Sequence, residues 1–212
     1  MDKIEMIILI ASVAAIVILA AVLIPLLIKR DQLKKGIYGR KKVYSILKRF
    51  ASFRNYKVVS DVTIKNGNKS AYYENILVSY YGLMIVKTVN DKSDYYGSTY
   101  DKQWAKVTGN VEKGKYKKEY VPNMITEIED SVNFLREEFT RKKVYGIKMD
   151  SVIVLTRRKK GGMAQMYVSG YSDFKNIGGF KSLLRAAKYE KDNNVDVDAV
   201  VELINSISES KE

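Results

Sequence analysis

Tyr73-Glu74-Asn75-Ile76-Leu77-Val78-Ser79-Tyr80-Tyr81-Gly82-Leu83-Met84-Ile85-Val86-Lys87-Thr88-Val89 reads as two strands folded back on a turn. Tyr72–Ser79 and Leu83–Val89 are rich in β-branched and aromatic residues, and Tyr80-Tyr81-Gly82 supplies the reversal. Alternation puts Ile85, Lys87 and Val89 on one face of the second strand. Upstream, Tyr56, Val58, Ser60, Val62 and Ile64 alternate with Lys57, Val59, Asp61 and Thr63, which predicts a preceding strand. Asn66-Gly67-Asn68 is a turn between the two. Before that strand Val43, Ile46, Leu47, Phe50 and Phe53 recur at helical steps from Arg40.

Downstream, Asn90–Gly114 is polar and reads as a loop followed by one or two short edge strands around Trp104–Val111. Ile125, Ile128, Val132, Leu135 and Phe139 then form one apolar stripe, predicting a helix over Met124–Lys143. Ser151–Thr156 reads as a strand, Arg157–Gly162 as a basic turn and Met166–Ser169 as another strand. Helices are expected near Phe180–Glu190 and Val197–Ser206, with a frayed tail over 206–212. This order predicts an α/β (α+β) domain over residues 39–205, a mixed sheet flanked by helices.

Composition removes several kinds of chemistry. The 212 residues include no Cys and no His. Disulfides, Cys–His or Ser–His nucleophile systems and zinc sites built from Cys and His are excluded. Any metal must take oxygen ligands, as magnesium, manganese or calcium do. No Walker or Rossmann string is present, and Gly161-Gly162 and Gly178-Gly179 do not sit in a phosphate-loop pattern.

The apolar residues are concentrated at the start. Met6–Ile28 is a run of 23 residues without a charge, interrupted only by Ser12 and Pro25. As a helix it would span about 34 Å, slightly more than a bilayer core. A cleavable signal peptide is the rival reading, but its apolar region is normally about 7–15 residues with basic residues before it. Here the run follows Met1-Asp2-Lys3-Ile4-Glu5. The expectation is a retained single-pass transmembrane helix over 6–28. Residues 1–5 would then be extracytoplasmic and 29–38 a basic juxtamembrane linker. Lys29, Arg30, Lys34 and Lys35 follow the run and would lie against anionic headgroups, which places the C-terminal domain in the cytoplasm at the cell membrane. Without Asp2, Lys3 and Glu5 the chain carries 36 basic and 22 acidic side chains, a net +14. That excess fits attraction to nucleic acid or membrane, and equally a lysine-rich coding bias.

Several strings resemble the nuclease-related domain (NERD) family of the PD-(D/E)XK restriction-endonuclease-like superfamily, from about Gly36 to Leu184. Gly36-Ile37-Tyr38-Gly39-Arg40 resembles the family's Gly-x-x-Gly-Glu at the start of the first helix. Tyr73-Glu74-Asn75-Ile76-Leu77-Val78 is similar to its Ile-Asp-His string on the second strand. Gly82–Val89 resembles its third strand, which ends in Glu-x-Lys, and Trp104 follows a glycine-containing loop as in the family. Asn123-Met124-Ile125-Thr126-Glu127 resembles its Asn-Pro-x-x-Gln.

The resemblance implies acidic residues converging on a divalent cation, with a lysine near the attacking water. Only one acid stays in place. The first-helix acid is Arg40, the second-strand acid is Glu74, the third-strand Glu-x-Lys is Lys87 and Val89, and the Gln is Glu127. No catalytic residues, no metal and no small-molecule cofactor are therefore expected. An active variant would use magnesium or manganese at Glu74. Lys87 interrupts an apolar run, and an unpaired buried ammonium is costly. The expectation is that its ammonium stands in for the cation and pairs with Glu74; the alternative is that it reaches solvent. Glu127, Glu129 and Asp130 could rebuild a site from the central helix, or simply complement its dipole.

Arg157-Arg158-Lys159-Lys160 could contact phosphates or form a solvated hairpin. The tyrosine pairs at 72–73, 80–81 and 95–96 could stack on bases or pack in the sheet. The favoured reading is a membrane-anchored, catalytically inactive NERD-like domain that binds DNA, RNA or a protein partner. The alternatives are an active nuclease with a migrated site, and a membrane-associated scaffold.

Overall fold

The computed structural model describes residues 3–34, 36–90, 92–111, 113–156, 158–159, 162–163, 166–169 and 174–208. Side chains of residues 3–12, 14–15, 33–34 and 157–173 lie outside that description. The chain divides into two units, Met1–Tyr38 and Gly39–Glu212.

The first unit is built on α1 (Lys3–Lys34), a helix that carries Pro25. Its described large apolar side chains from Val13 to Ile28 are exposed. Among the described residues no helix is long and apolar enough to cross a membrane. Of the charge-free run 6–28, only Val13 and 16–28 have described side chains. The expected 29–38 linker is helical over most of its length, since α1 continues to Lys34 and α2 begins at Ile37.

The chain continues with α2 (Ile37–Ser52), which lies in the second unit from Gly39 on, β1 (Lys57–Asn66), β2 (Lys69–Ser79), β3 (Gly82–Val89), β4 (Asp94–Ser98), β5 (Gln103–Asn110) and β6 (Lys115–Pro122). Then come α3 (Met124–Arg141), β7 (Lys148–Leu155), β8 (Arg158–Lys159), β9 (Gly162–Met163), β10 (Met166–Ser169), β11 (Phe174–Asn176), α4 (Ile177–Leu184) and α5 (Val197–Ile207). The segment expected as one helix near Phe180–Glu190 is split: α4 stops at Leu184, and a separate 3-10 turn spans Ala187–Glu190.

Five strands form one mixed sheet in the order β1-β2-β3-β7-β11. β1, β2 and β3 are antiparallel neighbours, while β3·β7 and β7·β11 are parallel. Each face carries its own core. Leu83, Ile85, Val89, Ile153 and Leu155 pack with Ile125, Ile128 and Leu135 of α3 and Ile204 of α5. Met84, Val86, Val152 and Val154 pack with Val43 and Leu47 of α2 and Phe180 and Leu184 of α4. A strand buried on both faces reads as a continuous apolar run, which accounts for Leu83–Val86 and Val152–Leu155. The fold is thus mixed α/β, with a five-stranded sheet flanked by helices, consistent with a nuclease-like fold.

The alternation expected for β1 does not hold along its length. Tyr56 and Val58 belong to the α2–α4 core, whereas Val62 and Ile64 belong to the α3–α5 core. The pairing runs Ser60 to Asn75 and resumes at Val62 to Tyr73, omitting Asp61 and Glu74. Asp61 has φ 55, a left-handed conformation that short polar side chains tolerate better than most. Its Oδ1 accepts the Tyr72 hydroxyl at 2.5 Å. Both strands change face at this point, and Glu74 sits on it.

The polar stretch after β3 holds more sheet than expected. β4, β5 and β6 form a second sheet with β10, in the order β10-β4-β5-β6. Lys115–Pro122 escaped the sequence reading because it is mostly lysine and tyrosine with little apolar alternation. Trp104 fixes this layer to the first core. It is fully buried, its Nε1 donates to the Ser98 carbonyl at 2.9 Å, and Phe174 meets it edge-on.

The first turn of α2 is seated by Gly39. A Cβ there would lie 2.3 Å from Thr156 Oγ1 and 2.7 Å from Asn90 Oδ1. Thr156 is itself held to the end of β3, its N–H donating to the Val89 carbonyl at 3.0 Å and its hydroxyl to Asn90 Oδ1 at 2.9 Å. Gly39→Ala should therefore force α2 away from the sheet. The expected loss is about 1–3 kcal/mol, read as a Tm lowered by several degrees in thermal unfolding of the full chain.

Candidate functional site

Seating Gly39 against Thr156 and Asn90 delivers the next residue, Arg40, to the strand pair β2–β3. Its Nε stands 3.8 Å from Glu74 Oε1. The other carboxylate oxygen of Glu74 accepts the Thr88 backbone N–H at 2.9 Å. Glu74 lies opposite Asp61, where the ladder is interrupted, so its side chain is only 14% exposed without being sealed in the core.

A second helix comes in from the other face. Asn123 caps α3, its Oδ1 accepting the N–H groups of Ile125 at 2.9 Å and Thr126 at 3.4 Å. Its Nδ2 donates to the Thr99 carbonyl at 3.0 Å and the Asp101 carbonyl at 2.8 Å. The buried amide thus fixes the helix start to the β4–β5 connection and satisfies its own polar atoms. Glu127, in the first turn behind this cap, is ion-paired with Lys87.

The expected pairing of Lys87 with Glu74 is thereby corrected. Lys87 takes Glu127, and Glu74 takes Arg40. Lys87 lies on the strand face that α3 covers, with Ile85 and Val89, so the helix carboxylate reaches it. Val89 is a core residue, 9% exposed, whose carbonyl anchors Thr156. Glu129 and Asp130 are exposed on α3, and among the described residues only Glu127 of the three pairs with a motif position.

Burial pushes the Glu74 carboxyl above its ordinary range. Hydrogen bonding from Thr88 and the Arg40 guanidinium pull against that, with a smaller contribution from Lys87. α2, β2, β3 and α3 therefore supply two cation–carboxylate pairs, Arg40 with Glu74 and Lys87 with Glu127. Their charges compensate one another.

The nuclease-related domain family matches residues 35–156, which is more than half of the 212 residues. The chain belongs to the NERD family. No curated protein and no solved structure matches it.

The donor set of this NERD domain does not fit a divalent cation. Hard cations take several oxygen ligands at once. Among the described residues no group of three or more acidic side chains is gathered to hold a metal. Glu74 and Glu127 each already face a cationic side chain, and the first-helix position contributes a guanidinium.

The other predicted positions lie elsewhere. Lys29 and Arg30 are exposed on α1, with Lys29 Nζ 5.8 Å from the Tyr38 ring centre. Lys34 ends α1 with its side chain outside the described set, and Lys35 lies outside the described residues. Arg158 and Lys159 form β8, paired with β9, but their side chains, and Arg157 and Lys160 altogether, lie outside the described residues. Sequence reasoning treated Arg40 only as a lost acid and missed it as the partner of Glu74. The signal was its place directly after the glycine that seats the helix. The Thr88 N–H carried no sequence signal, because a backbone donor is placed by strand register alone.

Glu74 gives a signed prediction. The unfolded group titrates near 4.5 and the folded group higher. Its contribution to stability is thus full below the unfolded value and is lost as pH rises through the folded one. Glu74→Gln should raise Tm near neutral pH and match wild type below about pH 4. Arg40→Gln should lower Tm near neutral pH by about 2–4 °C, since the Arg40 end of the pair is half-exposed and screened by water, with no effect in acid. Thermal melts across pH check both.

Proposed function

We propose that this NERD protein is a single-pass membrane protein whose restriction-endonuclease-like cytoplasmic domain binds nucleic acid without hydrolysing it. The observation that carries the loss of hydrolysis is the Arg40 guanidinium 3.8 Å from Glu74, the one acid kept at its family position. A guanidinium cannot give up its proton at accessible pH, so it can neither ligate a metal nor serve as a base. The Lys87–Glu127 pair closes the site on the α3 side.

Binding is supported by charge. Outside the first 28 residues the chain carries a net +14, and neutralising phosphates releases counterions. The charge-free run Met6–Ile28 and the basic residues after it support the anchor and its orientation. A binding domain held at the membrane face would bring nucleic acid to that surface.

One observation favours a second reading. Glu127 pairs with Lys87, whose charge also acts on Glu74, so a second carboxylate and an amine stand on elements neighbouring Glu74, as a migrated nuclease centre would need.

The full chain in nonionic detergent separates the two. Fluorescent DNA and RNA, single- and double-stranded, would be mixed with it in magnesium, manganese or chelator. Retention that falls steeply with salt, with no cleavage under any metal, is the expected result. Metal-dependent cutting abolished by Glu127→Gln would establish the second reading. Topology is checked separately, because the chain lacks cysteine. A single Tyr100→Cys variant should resist a membrane-impermeant maleimide in intact cells and react after lysis.

A further inference from the structure

The second sheet has one face in the core, and its other face is exposed along β6. Tyr95, Trp104 and Val121 point inward to the first core. Alternation turns Tyr96 of β4, Ala105 of β5 and Tyr116, Lys118 and Tyr120 of β6 outward. The register lines them up: Tyr96 opposes Ala105, which opposes Tyr120. Further along, Gly109 opposes Tyr116. On the middle strand this face carries Ala105, the buried Val107 opposite Lys118, and Gly109. Tyr116 is 54% exposed and Tyr120 65%, and Lys118 Nζ sits 5.2 Å from the Tyr120 ring centre. The turn of the hairpin that carries them also exposes Lys113, whereas Lys115 and Lys117 alternate to the other side, Lys117 paired with Glu119 at 3.2 Å.

Edge strands often carry lysines, which deter pairing with other chains. That need accounts for the charges of β6 but not for two exposed tyrosines on the solvent side. Aromatic platforms set among cations suit a polymer of flat bases and phosphates. A duplex hides its base faces in its own stack, so the match is to a single strand.

We propose that the outer face of the second sheet binds single-stranded nucleic acid, with Tyr116 and Tyr120 stacking on bases and Lys118, with Lys113 at the turn, meeting phosphates. This rests on the nucleic-acid reading above and assigns it a place in the fold separate from the Arg40–Glu74 site. Stacking and phosphate contacts need no 2′-hydroxyl, so DNA and RNA strands are held alike.

The test is fluorescence anisotropy of the full chain in nonionic detergent, with labelled oligo-dT, oligo-rU and a duplex of the same length. Wild type should bind both single strands within a few-fold of each other, and the duplex more weakly. Tyr116→Ala and Tyr120→Ala should each weaken single-strand binding at least about fivefold and leave duplex binding unchanged. Lys118→Gln should lower the slope of log affinity against log salt by about one. Tyr100→Ala, on the turn outside this face and 94% exposed, serves as the control and should change nothing. If wild type binds single strands and both tyrosine variants bind equally well, this placement is wrong while the nucleic-acid reading survives. If wild type retains no nucleic acid, both fall.

Discussion

A carboxylate held mostly out of water needs compensation, and Glu74 finds it on two sides. The Thr88 N–H supplies a hydrogen bond from the neighbouring strand, and the Arg40 guanidinium supplies charge from the first helix of the domain. Both depend on backbone placement. The donor is in reach because β2 and β3 keep register up to Asn75 and Val86. The cation is in reach because Gly39 lets α2 touch the ends of β3 and β7. The interruption at Asp61 and Glu74 completes the arrangement, since the strands change face there and the carboxylate is left at the edge of the core. Local backbone strain of this kind persists only where surrounding packing enforces it. Here one core lies on either side of the sheet.

The charges then determine what the site can do. NERD domains are named for a relation to nucleases, and such chemistry draws acids toward a metal. In this chain each remaining carboxylate faces a side-chain cation. Lys87 alone would have left one carboxylate uncompensated; the second cation, Arg40, comes from the first turn of α2. The proposed role follows from this balance: the domain carries its frame and its excess of positive charge, while Glu74 and Glu127 are held in ion pairs. Recognition would then fall to other surfaces, of which the outer face of the second sheet is the best furnished.

Much of this was legible beforehand. The strands around Leu77 and Ile85, the helix through Ile128 and Leu135, and the family strings at Gly36–Gly39, Glu74 and Asn123 are local patterns, readable because period and composition report which face is buried. β6 was missed for the complementary reason. An edge strand with one wet face needs no apolar alternation, and Lys115–Pro122 shows almost none. The face change in β1 was missed because a single left-handed Asp61 leaves no trace in hydrophobic periodicity.

Residue types settled which chemistry was available: no thiol or imidazole, and oxygen donors alone for any metal. Periodicity settled that a sheet would be covered by helices. Which cation meets which carboxylate was decided only by the tertiary structure. Ion pairing depends on distances of a few ångströms between side chains far apart in the chain, and those are set by how α2 and α3 dock on opposite faces of the sheet. Arg40 with Glu74 and Lys87 with Glu127 are the outcome of that docking.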